Sequence, residues 1–505
     1  MKPTYTRRSH LLPFAFCVAL VATAITPSSV LAADPVSGNW TRLKTAHFEF
    51  YTTNPKPQAL EALQTFEQVR SFFVQTTNSR SLVDAALTIV AFSSEKEYNP
   101  YRWNQGACAA YQHSWTRDYI VLQDLSAEHS QVAKHEYTHF VFERLGIKLP
   151  IWMSEGVADV YSSLYYDRHK VSIGRPLASR TYSLESGAWL PLDSLIDVGQ
   201  NSPYYNQSDK MLTFYSESWA LTHMLMLSDA YAAGFPKFLS AVASGSPTRA
   251  AFESVYGKSV ADIERDLRMY TRRKNLPQRF FDLQLDGSDA QRAEVTAVSR
   301  GEIEVALGGL LASNPRIQAD TQARLNEMSK RSSENPEIEE SLGYSALSQN
   351  RKQEARAHFA LAVERHSNNP DVLYYYACLE QEAGAPSRKL IALLKRVLEL
   401  NPKHGDARLE LGLLAAQSGE FQLAVDTLST LDPVQPDHAY VFFYTLSFCH
   451  IHLNNATEAR SYAEKAGHAT HGSAEQVQLE NLRLYIDEQA SQDTNTIAMR
   501  SAGGR

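Results

Sequence analysis

The stretch His135-Glu136-Tyr137-Thr138-His139 decides how the first part of this chain is expected to fold. Apolar residues recur around it with helical spacing, and Leu145-Gly146 provides a helix stop. On such a helix the two histidines lie one turn apart on one face, so both imidazoles can bind a single zinc ion. Glu136 is then placed to take a proton from water. The alternative is a surface helix with incidental histidines.

A third zinc ligand is expected from the segment that follows, Pro150-Ile151-Trp152-Met153-Ser154-Glu155-Gly156-Val157-Ala158. Glu155 lies early in a second predicted helix, which can fold back against the first. Catalytic zinc typically has three protein ligands and one open position, and two histidines with one glutamate are a standard set. Phe142 and Leu145 stand where a metzincin would need glycine and histidine, so that class is excluded.

Together these motifs resemble the gluzincin clan of metallopeptidases, particularly the bacterial peptidase MA-like families. The resemblance implies that His135, His139 and Glu155 bind one Zn²⁺ per chain and that Glu136 is the general base. It also implies that Asp159 orients a zinc-bound histidine through its second ring nitrogen.

The fold class implied by the resemblance is α+β. It combines a gluzincin-like catalytic domain, built from a small mixed sheet and zinc-binding helices, with the repeats described below. The edge strand of such a sheet lines the cleft and pairs with the substrate backbone. Sequence patterns agree, since they predict strands at 47–52, 86–92 and 119–122 and an amphipathic helix at 57–75.

Tyr215 is the candidate donor for the oxyanion that develops when a peptide carbonyl is attacked. It lies sixty residues after Glu155 and opens a helix that resembles one in M1-type aminopeptidases, with Met224-Leu225 in place. Glu217 and Ser218 depart from that family's pattern, and a packed aromatic residue is the alternative. Weaker candidates for the same role are Tyr204, Tyr205 and His223.

The net charge and the absence of one motif narrow the classes of partner and substrate that the sequence predicts. The net charge is −7 and no basic stripe is present, so nucleic acid is not expected as a partner. The amine-binding motif of M1-type aminopeptidases is not found before the zinc helix. An endopeptidase or a selective processing enzyme acting on a peptide or protein is therefore favoured, although the sequence does not name the substrate.

The N-terminal residues have the pattern of a bacterial signal peptide at 1–32. Basic residues precede an apolar run at 11–25, and Val30-Leu31-Ala32 offers a cleavage site. Arg7-Arg8 faintly resembles a twin-arginine signal, but the Sec route is favoured. We therefore expect an exported protein, periplasmic or secreted, whose mature form has no stable membrane span.

The C-terminal part is predicted to be an all-α solenoid of tetratricopeptide (TPR) repeats at 336–485. Prolines recur at intervals of 34, 32 and 34 residues, which is the period of this repeat. Small and bulky residues recur at matching offsets, as in Gly343 with Phe359 and Gly412 with Leu428. The predicted remainder is a peptidase domain at 33–275, a helical connector at 276–335 and a disordered tail at 486–505.

Two functions are consistent with this organisation. In the first, a zinc peptidase uses its repeat surface to recruit a substrate or a protein partner. In the second, a TPR adaptor retains a peptidase-like domain with weak or no activity. The intact set of His135, Glu136, His139 and Glu155 favours the first, because an adaptor has no need of a general base.

Overall fold

The structure is a computed structural model that describes residues 38–502, except 80–81, 83–86, 103–106, 114–116, 168–169, 187–188, 314–317, 332–334, 432–433, 435 and 471. The predicted signal peptide lies outside the described residues. The chain forms two compact units, with the change from the first to the second between Met328 and Ser329. Among the described residues, none of the helices has both the length and the apolar character needed to cross a membrane.

The N-terminal unit contains every described strand. In chain order these are β1 (Thr41–Lys44), β2 (Phe48–Thr52), β3 (Leu87–Ala91), β4 (Ala109–Gln112), β5 (Tyr119–Leu122), β6 (Tyr165–Asp167), β7 (Lys170–Ile173), β8 (Arg279–Asp282) and β9 (Glu294–Ala297). Six of them form a mixed sheet in the order β4-β5-β3-β2-β1-β9. Pairing is parallel in the middle of this sheet and antiparallel toward both edges. The predicted small mixed sheet is therefore confirmed.

The N-terminal unit also contains many helices. They are α1 (Lys56–Thr77), α2 (Glu95–Tyr98), α3 (Ala127–Arg144), α4 (Ile151–Ser162), α5 (Ala178–Ser186), α6 (Leu192–Ile196), α7 (Pro203–Asn206), α8 (Ser208–Leu227), α9 (Phe235–Ala243), α10 (Thr248–Tyr256), α11 (Val260–Tyr270), α12 (Arg300–Ser313) and α13 (Gln318–Arg331), the last of which continues past the change of unit.

The core between sheet and helices explains why α1 and α3 lie where they do. The apolar face of α1 is buried, and its Phe66 and Phe73 meet Tyr137 of α3 with ring centroids 6.1 and 6.2 Å apart. Phe48 of β2 lies 6.1 Å from the same Tyr137 ring. These contacts bury the face of α3 that is turned away from its histidines.

The C-terminal unit consists of paired helices. They are α14 (Pro336–Ser348), α15 (Lys352–Glu364), α16 (Pro370–Glu382), α17 (Ser387–Leu400), α18 (Gly405–Gln417), α19 (Phe421–Leu428), α20 (Ala439–His452), α21 (Ala456–His468) and α22 (Ser473–Ala502). A Cβ at Gly343 would lie 2.3 Å from the Phe359 ring, and one at Gly412 would lie 2.4 Å from Leu428 Cγ. The small residue thus lets the two helices of a repeat approach closely, as the offsets predicted.

Two segments differ from the sequence expectation. The segment at 276–335 is not helical throughout, because β8 pairs with β7 and β9 pairs with β1. These strands are four residues long and depend on distant partners, so local periodicity gave no signal for them. The tail expected to be disordered from 486 continues as helix α22 as far as Ala502. Its composition is polar but rich in good helix formers such as alanine and glutamine.

Candidate metal centre

Helices α3 and α4 bring the three predicted zinc ligands together. His135 and His139 lie one turn apart on α3, and their Nε2 atoms are 3.1 Å apart. Glu155 of α4 places its Oε2 3.1 Å from His135 Nε2 and 3.6 Å from His139 Nε2. Atoms that bind one zinc ion at 2.0–2.1 Å in tetrahedral geometry are roughly 3.3 Å apart. The donor set and its spacing therefore fit a zinc ion.

The other ring nitrogens are held by neighbouring side chains. His135 Nδ1 lies 3.0 Å from Asp159 Oδ1, the contact that the sequence predicted for this aspartate. His139 Nδ1 lies 3.3 Å from Ser154 Oγ. With a metal bound, a donor bond from Nδ1 would leave the Nε2 lone pair of each imidazole to the metal. Both histidines are thus fixed in the orientation that a metal site requires.

Arg180 of α5 is a part of the site that the sequence analysis missed. Its Nε donates to Asp159 Oδ2 at 2.7 Å, and a second nitrogen lies 3.3 Å from Oδ1. Burial would raise the pKa of Asp159, but the charge of Arg180 and the hydrogen bond from His135 lower it below its ordinary value. A buried aspartate needs a cationic partner. A buried Asp159 therefore indicates an arginine or lysine as its partner, but the spacing of residues in the sequence does not identify which one it is.

Burial and hydrogen bonding act in opposite directions on the pKa of His135. Burial lowers the pKa of this histidine, whereas hydrogen bonds to Asp159 and Glu155 raise it to about 10. The carboxyl of Glu155 shows the opposite direction, since its pKa is lowered by His139 and His135 in spite of burial. The centre therefore concentrates negative charge around two imidazoles, an environment that favours a bound cation.

Glu136 connects the centre to the edge of the sheet. The backbone N–H of Tyr111 in β4 donates to Glu136 Oε2 at 2.7 Å. Among the described strands, β4 pairs only with β5. Glu136 and His139 are partly exposed, whereas Glu155 is buried. The candidate base thus lies on the more exposed side of the centre, beside strand β4.

Two tyrosines face the same centre. Tyr205 donates from its hydroxyl to Glu155 Oε1 at 2.9 Å. The Tyr215 ring lies 6.3 Å from the Tyr205 ring, and their hydroxyls are hydrogen-bond neighbours. Burial and the charge of Glu155 raise the pKa of Tyr215 well above its ordinary value, so that its hydroxyl keeps its proton. The structure therefore brings both Tyr215 and the weaker candidate Tyr205 to the site.

The other two candidates for the donor role lie elsewhere. His223 is fully buried, with Nδ1 2.7 Å from the Tyr270 hydroxyl and Nε2 2.8 Å from the Gly174 carbonyl oxygen. Burial lowers the pKa of His223 to about 4, so it is a neutral packing residue. Tyr204 has the Lys210 ammonium over its ring at 5.7 Å. Among the described residues, neither has a contact with His135, His139 or Glu155.

Gly156 explains how Glu155 reaches the histidines. A Cβ at this position would lie 2.1 Å from Thr222 Oγ1 and 2.4 Å from the Ser218 carbonyl oxygen on α8. Only glycine therefore permits α4 to pack this closely against α8, the helix that also carries Tyr215. The glycine that follows the third ligand in the sequence motif thus has a packing role.

The three cysteines of the described residues form no disulfide with one another; they are Cys108, Cys378 and Cys449. Cys108 is partly exposed, and burial raises the pKa of its thiol.

Comparisons with known proteins identify the repeats. The tetratricopeptide-repeat family model matches residues 391–442. Among solved structures, the TPR protein YrrB, described as having an unusual peptide-binding site, is 18% identical with a TM-score of 0.31, and 35% of this chain aligns with 90% of that chain. A MamA protein is 17% identical with a TM-score of 0.28, and 33% of this chain aligns with 91% of that chain. No protein of curated function matches. The chain therefore contains TPR repeats, an architecture used for protein interaction.

Proposed function

We propose that this protein is an exported bacterial zinc metallopeptidase whose TPR repeats recruit a substrate or a protein partner. One observation carries the proposal. The ligand atoms of His135, His139 and Glu155 lie within 4.8 Å of one another, beside a glutamate that accepts a hydrogen bond from strand β4. A zinc ion bound there would supply an activated water molecule and polarise the carbonyl of a peptide bond.

Glu136 carries out the proton transfers in this proposal. Its carboxylate accepts a proton from the water molecule and passes it to the leaving amine. The hydrogen bond from Tyr111 to Oε2 orients the carboxylate and leaves Oε1 for that task. Because Glu136 is partly exposed, water can reach it before substrate binds.

Strand β4 binds the substrate backbone in an extended conformation. The peptide pairs with the edge of β4 that no other described strand occupies, in the manner of other strand-addition sites. Tyr111 marks the point along the strand that faces the general base, so the scissile bond lies next to this residue. Backbone pairing of this kind accepts many side chains, which suits a peptidase that cleaves within a chain.

Tyr215 and Tyr205 stabilise the oxyanion that develops on the carbonyl. Both hydroxyls keep their protons, because burial and the nearby charge of Glu155 raise the pKa of each phenol. In this structure Tyr205 donates to Glu155 Oε1, whereas the hydroxyl of Tyr215 neighbours that of Tyr205. We assign the main donor role to Tyr215, with Tyr205 positioning Glu155.

The second candidate function is a TPR adaptor with a peptidase-like domain that has little or no activity. The family match at residues 391–442 favours this alternative, since it concerns only the repeats. Both candidates share a protein partner bound by the solenoid. They differ in whether the metal centre hydrolyses peptide bonds.

The experiment is a zinc measurement on the mature protein, combined with hydrolysis of a mixed peptide library before and after chelation. We expect His139→Ala and Glu155→Ala each to bind one zinc ion fewer per chain than the parent, because each removes one of three ligands. Glu136→Gln should keep the zinc and lose about 10²–10⁴-fold in turnover, because an amide cannot accept the proton.

A matched control is His129→Ala, on the same helix. His129 Nδ1 contacts Asp124 Oδ1 at 2.6 Å and has no part in the centre, so its loss should change neither zinc nor activity. Zinc binding without any library cleavage would support the adaptor. Unchanged zinc content in both ligand variants would refute the metal centre itself.

A further inference from the structure

A second group of metal-binding side chains lies in the N-terminal unit, apart from the residues of the first centre. His47 belongs to the turn between β1 and β2, Glu67 to α1, and Asp289 to a 3-10 helix at Ser288–Arg292. His47 Nδ1 is 2.9 Å from Glu67 Oε2 and 3.8 Å from Asp289 Oδ2. One ligand atom from each residue lies within 4.8 Å of the others, as in the first centre.

Glu67 has a buried oxygen that no side chain satisfies. Its side chain is only 3% exposed, and Oε1 is buried without a hydrogen-bond partner among the described residues. An unpaired buried polar atom costs on the order of 1–3 kcal/mol, and more when the group is charged. A cation bound by this carboxylate would remove that cost.

The repeat unit offers a comparison in which a similar pair is fully satisfied. Glu339 is 2% exposed and contacts His358 Nδ1 through Oε2 at 2.7 Å. Its Oε1 accepts from Ser329 Oγ at 2.5 Å and lies 3.0 Å from an Arg365 nitrogen. That buried glutamate therefore needs no further partner. The contrast shows that the contact with His47 alone leaves one carboxylate oxygen of Glu67 without a hydrogen-bond partner among the described residues.

The chain around Asp289 is held firmly against α1. A Cβ at Gly287 would lie 3.0 Å from the side chains of Gln64 and Gln68, and the Asp286 N–H donates to Ser71 Oγ at 3.1 Å. Arg292 donates to Asp289 Oδ1 at 2.7 Å, which leaves Oδ2 directed toward His47. Asp289 is thus held in place as the third ligand, and its Oδ1 is already paired with Arg292.

We propose that His47, Glu67 and Asp289 form a second site for a divalent transition metal such as Zn²⁺. One imidazole nitrogen and two carboxylates are a donor set that suits zinc, with a fourth position left to solvent. The ion joins three segments that are far apart in sequence and so fastens residues 286–292 onto α1. Since Phe66 of α1 contacts Tyr137 of α3, the site supports the back of the first metal helix.

The test measures zinc bound to the full mature chain after equilibration with zinc and removal of the excess. We expect two zinc ions per chain in the parent and one in each of His47→Ala, Glu67→Gln and Asp289→Ala. His358→Ala, which alters the satisfied pair, should keep two. Asp289 is about one-third exposed, so its replacement is expected to leave the fold intact.

The same measurement in a His139→Ala background separates this site from the proposed peptidase centre. One zinc ion should remain in His139→Ala and none in His139→Ala combined with Asp289→Ala. Added zinc should raise the unfolding temperature of the former but not of the latter. Equal zinc content with and without Asp289→Ala would overturn the second site, whatever the fate of the first. Loss of zinc only on His139→Ala would likewise overturn it.

Discussion

The two units of this chain build their internal contacts over very different distances. In the repeats, Gly343 packs on Phe359 and Gly412 packs on Leu428, sixteen residues along the chain in each case. In the N-terminal unit, Tyr205 reaches back fifty residues to Glu155, and β1 pairs with β9 more than two hundred residues later. Substitutions in the repeats should therefore act locally, whereas substitutions in the N-terminal unit should be felt at the metal centre.

The largest effect expected in this comparison is on kcat, and it distinguishes Tyr215 from Tyr205 in the N-terminal unit. Tyr215→Phe should lower kcat by about 10²–10³-fold, because loss of one oxyanion donor costs about 3–4 kcal/mol of transition-state stabilisation. Zinc content and KM should change little. Tyr205→Phe removes the bond to Glu155 and should instead weaken zinc binding. Steady-state kinetics and zinc titration of both variants check this.

The assignment of the two tyrosines has a clear opposite result. If Tyr215→Phe is as active as the parent while Tyr205→Phe loses kcat at full zinc occupancy, Tyr205 is the donor. Tyr204→Phe is the control, since that ring lies near Lys210 and not beside Glu155.

A pH titration should separate the stabilities of the two units. Burial lowers the pKa of His223 to about 4, whereas an unfolded histidine has a pKa near 6.5. Below about pH 6.5 the unfolded state takes up a proton that the folded state does not. The free energy of unfolding of the N-terminal unit should therefore fall between pH 6.5 and 4, by about 3 kcal/mol from this group.

Tryptophan fluorescence can follow this change in one unit alone, because all six tryptophans lie between residues 40 and 219. His223→Gln should be less stable at pH 7, through loss of the bonds to Tyr270 and Gly174, but should show a flatter pH dependence. An equally steep dependence in the variant would assign the acid sensitivity to other groups.

The smallest effect compares a glycine from each unit. Gly156→Ala and Gly412→Ala should each cost about 1–3 kcal/mol of stability, because each added methyl group meets a packed helix. Only Gly156→Ala should also lower zinc affinity, since the clash with the Ser218 carbonyl displaces α4, which carries Glu155. Thermal unfolding and zinc titration of the pair measure both. If Gly156→Ala and Gly412→Ala bound zinc with equal affinity, the expected difference between the two units would be wrong.

The sequence was most informative where structure is local. The proline period predicted the repeats, and the two motifs predicted His135, His139, Glu155 and Asp159 as neighbours. Strands β2, β3 and β5 lie within the predicted segments, because buried strands carry a strong apolar signal.

Contacts made across long stretches of chain were not predictable in this way. Arg180 reaches Asp159 from a separate helix, and nothing in its own neighbourhood distinguishes it from other surface arginines. The same holds for β8 and β9, whose few residues become strands only beside their partners. The sequence analysis preferred Tyr215 to Tyr205 because its distance along the chain from Glu155 matches that in M1-type aminopeptidases. The hydrogen bond from Tyr205 to Glu155 depends instead on how α7 and α8 pack.

Strand β9 has a consequence for how the protein is made. Thr41 pairs with Ala297, so the outer edge of β1 stays open until almost three hundred residues have been synthesised. A nascent chain thus carries an unsatisfied strand edge through most of its translation, which favours association with chaperones and delays final folding. If the protein is exported, as we propose, that delay would keep the chain unfolded until after it has crossed the membrane. A fragment ending at residue 275 would keep His135, His139 and Glu155 but would lack the strand that pairs with β1.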